Sequence, residues 1–148
     1  MKILLTICIG LFSFLNSHSQ EKPIKWDVSY TPVSATEGEI IIKAVIEKGW
    51  HTYSQQANNA VPFPTLISYK ESTQYQLIGK TEEKNTHEEF DEVLKAKLLV
   101  FSNKAEFKQK VKLNTKSPQT ILLKVEYILC DNKKCLPPTT IDLEIKTQ

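Results

Sequence analysis

Leu123-Lys124-Val125-Glu126-Tyr127-Ile128-Leu129-Cys130-Asp131-Asn132-Lys133-Lys134-Cys135-Leu136-Pro137-Pro138 is the stretch on which the reading of this chain turns. Its first half alternates. Leu123, Val125, Tyr127 and Leu129 have one parity, which predicts a strand with those four on its core face. Lys124, Glu126 and Cys130 have the other parity and are expected on the outward face, where a sulfur is reachable. Four residues separate the cysteines, so the two can meet across a tight hairpin end. Pro137 and Pro138 then remove backbone donors and stiffen the chain that follows Cys135.

The same period of two extends outward in both directions. Trp26, Val28 and Tyr30 alternate with polar residues, and Ile40, Ile42, Ala44 and Ile46 do so in a β-branched run. Lys48-Gly49 reads as a turn into a strand at Trp50–Tyr53. Short strands are expected at Leu66–Tyr69 and Tyr75–Gly79. Leu94, Ala96, Leu98 and Val100 alternate next, followed by Phe107, Val111 and Leu113, and Ile141, Leu143 and Ile145 close the chain. Eight or nine strands separated by turn signals predict an all-β sandwich or barrel. Glu82–Ala96 is too sparse in apolar residues to form a helix with an apolar stripe. Asn58–Pro64 and Asn85–Glu92 read as loops, the second acidic with Phe90 alone in its middle.

The first segment stands apart from this pattern. Lys2, the apolar run Ile3–Leu15, and Ser17 and Ser19 form a signal peptide expected to be cut before Gln20, leaving residues 20–148 as one exported domain. The apolar run is too short to span a bilayer comfortably, so no membrane span is expected in the mature chain. Cys8 lies inside that run and is expected to leave with it. The mature chain then keeps Cys130 and Cys135, which in an oxidising compartment read as one bridge. Nineteen lysines stand against seventeen acidic residues with no arginine. Arginine is the usual reader of phosphate forks and base edges, so nucleic acid is not an expected partner.

The residues leave two roles open for the bridge. As a staple it would stabilise little, because closing so short a loop removes only about 2 kcal/mol of unfolded-state entropy on the chain-entropy model. As an exposed bridge across a short hairpin it belongs with the labile, exchangeable kind. A zinc site is not expected, since His51 and His87 are far from the cysteines in sequence. A thiol-protease nucleophile is not expected either, because oxidation would cap the thiol. The rival to exchange is a non-catalytic envelope sandwich that docks on a partner and carries a structural disulfide.

Tyr127, Cys130 and Cys135-Leu136-Pro137-Pro138 together resemble the signature of the amino-terminal periplasmic domain of the thiol–disulfide interchange protein DsbD. Gly49-Trp50-His51-Thr52-Tyr53-Ser54, His87-Glu88-Glu89-Phe90 and Phe107–Val111 resemble further pieces of that family, in the same order. The resemblance implies an immunoglobulin-like fold and a reversible Cys130–Cys135 pair. It implies a thioredoxin-like electron donor, here expected on a separate polypeptide, and oxidised envelope proteins as acceptors. No cofactor is implied, and a monomer is expected. The resemblance also places Phe90 over the disulfide as a cap and puts Glu88, Glu89, His51 and Tyr53 around it. By charge, Lys133 and Lys134 would favour a thiolate, while Asp131, Glu88 and Glu89 would oppose it.

Overall fold

The computed structural model describes residues 23–147, so the expected signal peptide at residues 1–19 lies outside the described residues. Ten strands run in order: β1 (Ile24–Pro32), β2 (Glu37–Ile46), β3 (His51–Tyr53), β4 (Leu66–Tyr69), β5 (Tyr75–Lys84), β6 (His87–Asp91), β7 (Ala96–Ser102), β8 (Lys104–Leu113), β9 (Thr120–Tyr127) and β10 (Thr139–Lys146). They pair as three antiparallel sheets, ordered β1-β2-β8-β5, β10-β9-β4 and β3-β7-β6. No helix among the described residues is long and apolar enough to cross a membrane.

The first two sheets face each other across the main core. Ile40, Ile42, Ala44, Phe107 and Val111 project from one, and Ile67, Ile121, Leu123 and Val125 from the other, all buried. The alternation that predicted the strands is thus the alternation that fills the sandwich. Trp26 closes one side of this core, with its ring 6.1 Å from that of Phe107 and 5.3 Å from that of Tyr127. The third sheet covers a smaller core of Tyr53, Val61, Leu98, Val100, Ile128 and Cys130. Asn103, held at φ 67°, turns the chain between β7 and β8, so consecutive strands serve different sheets. Gly49, at φ 88°, makes the expected turn into β3.

Three local readings change. The acidic stretch expected as a loop at 85–92 contains β6. It pairs with β7 alone at the edge of its sheet, and of its five residues only Asp91 is buried. Leu94 belongs to the turn before β7 rather than to that strand. The segment expected to end at Gly79 continues to Lys84 through a bulge, where pairing with β8 shifts between Ile78 and Glu82. Gln109, which breaks the apolar alternation of β8, is buried at 2% exposure opposite that bulge. Its amide donates to the carbonyls of Ile78 and Lys110, at 3.0 and 2.9 Å, and its oxygen accepts from Thr81 at 2.9 Å. A polar side chain thereby supplies bonds that the interrupted ladder lacks.

Gln109→Leu keeps the volume and deletes three part-buried hydrogen bonds at the bulge. The expected loss is about 1–3 kcal/mol of stability, seen as a lower urea midpoint with an unchanged slope. An unchanged midpoint would show that the bulge does not rely on this side chain.

Candidate functional site

The chain leaves β9 at Tyr127 and runs through Ile128, Leu129 and Cys130 toward the third sheet. Cys130 pairs there with His51 of β3. The His51 amide donates to the Cys130 carbonyl at 2.9 Å, and the Cys130 amide donates to the His51 carbonyl at 3.0 Å. On its other side Cys130 pairs with Cys135. The flanking residues carry that second pairing: Leu136 donates to Leu129, and Asp131 to Lys134. Opposed residues of this non-bonded kind approach more closely than bonded ones. The two Cα atoms stand 4.0 Å apart and the sulfurs are joined as a disulfide. Asp131 shapes the hairpin by accepting the amides of Lys133 and Lys134 at 2.7 and 2.8 Å. Those bonds, followed by the nearby lysine charges, hold its carboxyl below the usual carboxylate range.

Cys130 is fully buried, which corrects the expectation of an outward sulfur. Its parity was read correctly. Tyr127 and Leu129 enter the main core, and Ile128 and Cys130 lie on the opposite side. That opposite side meets solvent at Lys124 and Glu126, but past Tyr127 it is covered by the third sheet. Cys135 is half-buried and is the more exposed residue of the pair.

Beside Cys130 lies a polar cluster in an otherwise apolar pocket. His51 and Tyr53 share one face of β3, and both rings point to it, 5.4 Å apart. The Tyr53 hydroxyl stands 3.0 Å from Cys130 Sγ and 2.5 Å from Asp91 Oδ2. His51 Nε2 lies 3.0 Å from the same carboxylate oxygen. Asp91 Oδ1 accepts the amides of Val93 and Leu94 at 2.8 and 2.7 Å. Burial by itself would push the Asp91 carboxyl up, but the bonds from Tyr53, Leu94, His51 and Val93 outweigh it, so its pKa is lowered. Asp91 is therefore ionised and only accepts, which makes His51 Nε2 the donor. Burial, and then the neighbouring carboxylate, push the Tyr53 phenol far above its ordinary value, so it stays a neutral O–H donor.

The other expected site residues are placed differently. Phe90 is 54% exposed, so the burial expected of its ring over the disulfide does not occur. Adjacent strand residues face opposite ways, and in β6 it is Asp91 that turns inward. Glu88 pairs with Lys97 at 2.5 Å on the exposed surface. Glu89 bonds His87 at 3.1 Å and Ser102 at 3.3 Å. The acid at the sulfur is Asp91, which the sequence reading passed over. Its signal was local: Asp91-Glu92-Val93-Leu94 is a turn in which a side-chain oxygen takes the amides two and three residues on. His51, set aside as a metal ligand for its distance in sequence, is brought within 4.8 Å of the Cys130 sulfur together with Asp91.

An immunoglobulin-like sandwich that seats a short-hairpin disulfide beneath an end sheet defines a thiol–disulfide interchange domain. The family model for "Thiol:disulfide interchange protein DsbD, N-terminal" matches residues 20–146, and the chain belongs to that family. Among solved structures it is similar to the N-terminal periplasmic domain of ScsB from Proteus mirabilis, with TM-score 0.58 and 12% identity, covering 84% of this chain and 45% of that one. It is also similar to the reduced DsbD N-terminal domain of Neisseria meningitidis, with TM-score 0.52 and 15% identity over 80% of this chain and 82% of that one. The third similar structure is the complex between the DsbD and PilB N-terminal domains of Neisseria meningitidis, with TM-score 0.54 and 13% identity over 87% of each chain. At these identities the structures speak for the fold, and the chain spans less than half of the ScsB chain. A comparison with curated proteins finds no match.

Because the folded pKa of Asp91 is depressed, its contribution to stability is present above the unfolded carboxylate pKa of about 3.9 and is lost as pH falls through the folded value. Asp91→Asn is therefore expected to be less stable than wild type at pH 7, by about 1–3 kcal/mol. The gap should narrow as the wild type is titrated below about pH 4. Urea unfolding of both proteins across that range measures it. A gap constant with pH would mean that Asp91 is not ionised in the folded protein.

Proposed function

We propose that this chain is a periplasmic electron relay. It would take two electrons from a thioredoxin-like donor through Cys135 and pass them to oxidised envelope proteins. The observation that carries this reading is the asymmetry of the disulfide: Cys130 is sealed and touched by the Tyr53 hydroxyl, while Cys135 is half-open. Membership of the interchange family over residues 20–146 supports it. The apolar leader with Ser17 and Ser19 before Gln20 supports export.

The chemistry follows from the geometry. A donor thiolate attacks Cys135 Sγ in line with the S–S bond, and a mixed disulfide forms at Cys135. The bond to Cys130 breaks and its electron pair goes to Cys130 Sγ. A thiolate in a buried pocket needs a donor. Tyr53 has one proton, claimed by Asp91 in the disulfide form. Asp91 keeps three other donors, His51 and the amides of Val93 and Leu94, so the Tyr53 proton can turn to the sulfur as charge develops. The donor's second thiolate then resolves the mixed disulfide. Donor disulfide and reduced Cys130/Cys135 are the products, and two protons complete the thiols. Passing electrons to an oxidised client runs the same steps in reverse. Phe90, exposed on the neighbouring strand, would offer apolar surface to a docking partner rather than a closed lid.

Cys130→Ala with Cys135 retained is expected to accumulate mixed disulfides with envelope thiol proteins, and Cys135→Ala to accumulate none. Non-reducing electrophoresis of periplasmic extracts reads the result. Trapping by neither variant would leave the bridge as a structural staple. Tyr53→Phe removes a hydrogen bond to a developing charge, worth about 1.5–3 kcal/mol. Reduction by dithiothreitol, followed by quenched thiol trapping, should slow about ten- to a hundredfold. Equal rates would show that the hydroxyl does not serve the leaving sulfur.

A further inference from the structure

Reduction of the disulfide frees a sulfur inside a polar cluster. Cys130 is fully buried and Asp91 is 2% exposed, with Tyr53 Oη 2.5 Å from Asp91 Oδ2 and 3.0 Å from Cys130 Sγ. The freed sulfur stands beside a carboxylate that accepts from four donors, so sulfur, oxygen and imidazole nitrogen meet in one buried place. The lysines of the hairpin, Lys133 and Lys134, are exposed and do not fill the pocket.

The side chains converging there form a ligand set. His51, Asp91 and Cys130 each offer one donor atom, all within 4.8 Å of one another, and all three residues are buried. Cys135 stands outside that trio, but its disulfide to Cys130 keeps its sulfur beside the set, from where it can turn in as a fourth ligand once reduced. Two thiolates, one imidazole and one carboxylate are four ligands of the types zinc takes in tetrahedral sites, with bonds of about 2.0–2.3 Å. Such bonds set ligand atoms roughly 3.3–3.8 Å apart, so the widest spacing here must close by about an ångström. His51 Nε2 and Asp91 Oδ2, at 3.0 Å, must part slightly.

The supports of a metal site are also present. The paired backbones of His51 and Cys130 fix two ligands against each other. The Val93 and Leu94 amides occupy Asp91 Oδ1 and leave Oδ2 to face the pocket. Tyr53 lies against both Oδ2 and the sulfur, as an outer donor to metal ligands does. The carboxylate and the fourfold set favour zinc over Cu⁺, which selects softer ligands.

We propose that the reduced protein binds one Zn²⁺ through Cys130, Cys135, His51 and Asp91, and that this site and the disulfide exclude each other. A dithiol supplies two electrons to the S–S bond and leaves as its own disulfide. Zn²⁺ then displaces the two thiol protons to solvent. The imidazole proton resides on Nδ1, so that Nε2 presents its lone pair. Zinc changes no oxidation state. Each metal-bound thiolate shares its electron pair with zinc and attacks a client disulfide more slowly than the free thiolate, so zinc holds the reduced relay in reserve. This inference goes beyond the relay reading and requires no partner.

The test uses Co²⁺ as a spectroscopic stand-in for zinc, added anaerobically to protein reduced by a phosphine and freed of it. Reduced wild type is expected to give intense tetrahedral ligand-field bands with sulfur-to-cobalt charge transfer, at one metal per chain, bleached by zinc. Oxidised protein should give none. His51→Ala should bind at least about tenfold more weakly, with an altered band pattern. Should that variant fail to fold, the ¹⁵N resonance of His51 Nε2 in reduced wild type gives the same answer, since ligation must move it on zinc addition. Absence of tetrahedral bands, or a spectrum and imidazole resonance indifferent to His51, overturns the site. Reduction of zinc-free wild type by dithiothreitol is measured alongside, so failure of metal binding and failure of exchange are read separately.

Discussion

The backbone pairing of His51 with Cys130 is the constraint on which the site depends. It is only two hydrogen bonds, of 2.9 and 3.0 Å, yet it ties β3 to the segment that follows β9 of another sheet. Beyond the end of β9 it holds Ile128 and Cys130 under the third sheet, while Leu129 stays in the main core. Opposed residues on paired strands project to the same face, so the pairing also sets the His51 ring beside the Cys130 sulfur. Tyr53, two residues further along β3, shares that face and puts its hydroxyl between the sulfur and Asp91. Slipping the pairing by one residue would turn all of these side chains away.

The two cores divide the work. The larger is a sandwich interior of β-branched and aromatic residues from long strands, and it supplies the rigid frame. The smaller is built from short strands and a loop around Tyr53, Val61, Leu98, Val100 and Ile128. It excludes water from one sulfur while leaving the other accessible. The hairpin from Cys130 to Cys135 projects between them, shaped by Asp131 on one side and followed by Pro137 and Pro138 on the other. A reactive bond is thus held by a stiff frame and opens to solvent in one direction, a common way to combine stability with selective access.

Electrostatics in the pocket turn on how hydrogen bonds are shared. Asp91 is buried yet ionised, because two backbone amides, an imidazole and a phenol all donate to it. Each carboxylate oxygen takes two of those donors, and three remain if the Tyr53 proton follows charge onto sulfur. The same convergence sets His51, Asp91 and Cys130 within 4.8 Å of one another, a spacing that serves both the exchange chemistry and the zinc site.

What the sequence determined by itself is what depends on residues a few positions apart. The alternation at Ile40–Ile46, Leu123–Leu129 and Ile141–Ile145 specified strands, because burying one face of a sheet requires a period of two. Two cysteines with four residues between them before Pro137-Pro138 specified a hairpin disulfide, and the ordered motifs pointed to the interchange family. Parity put Cys130 opposite Tyr127, but whether that side faces water or protein depends on where β3, β6 and β7 lie, and parity carries no such information. For the same reason Phe90 drew notice as a lone aromatic among acids, while its polar neighbour Asp91 enters the site. An edge strand with no buried alternation looks like a loop, and only its pairing with β7 fixes which side chain turns inward. His51, Tyr53, Asp91 and Cys130 lie up to 79 residues apart by their numbers. Their meeting is a property of the tertiary structure, because long-range backbone pairing aligns side chains that no local pattern links.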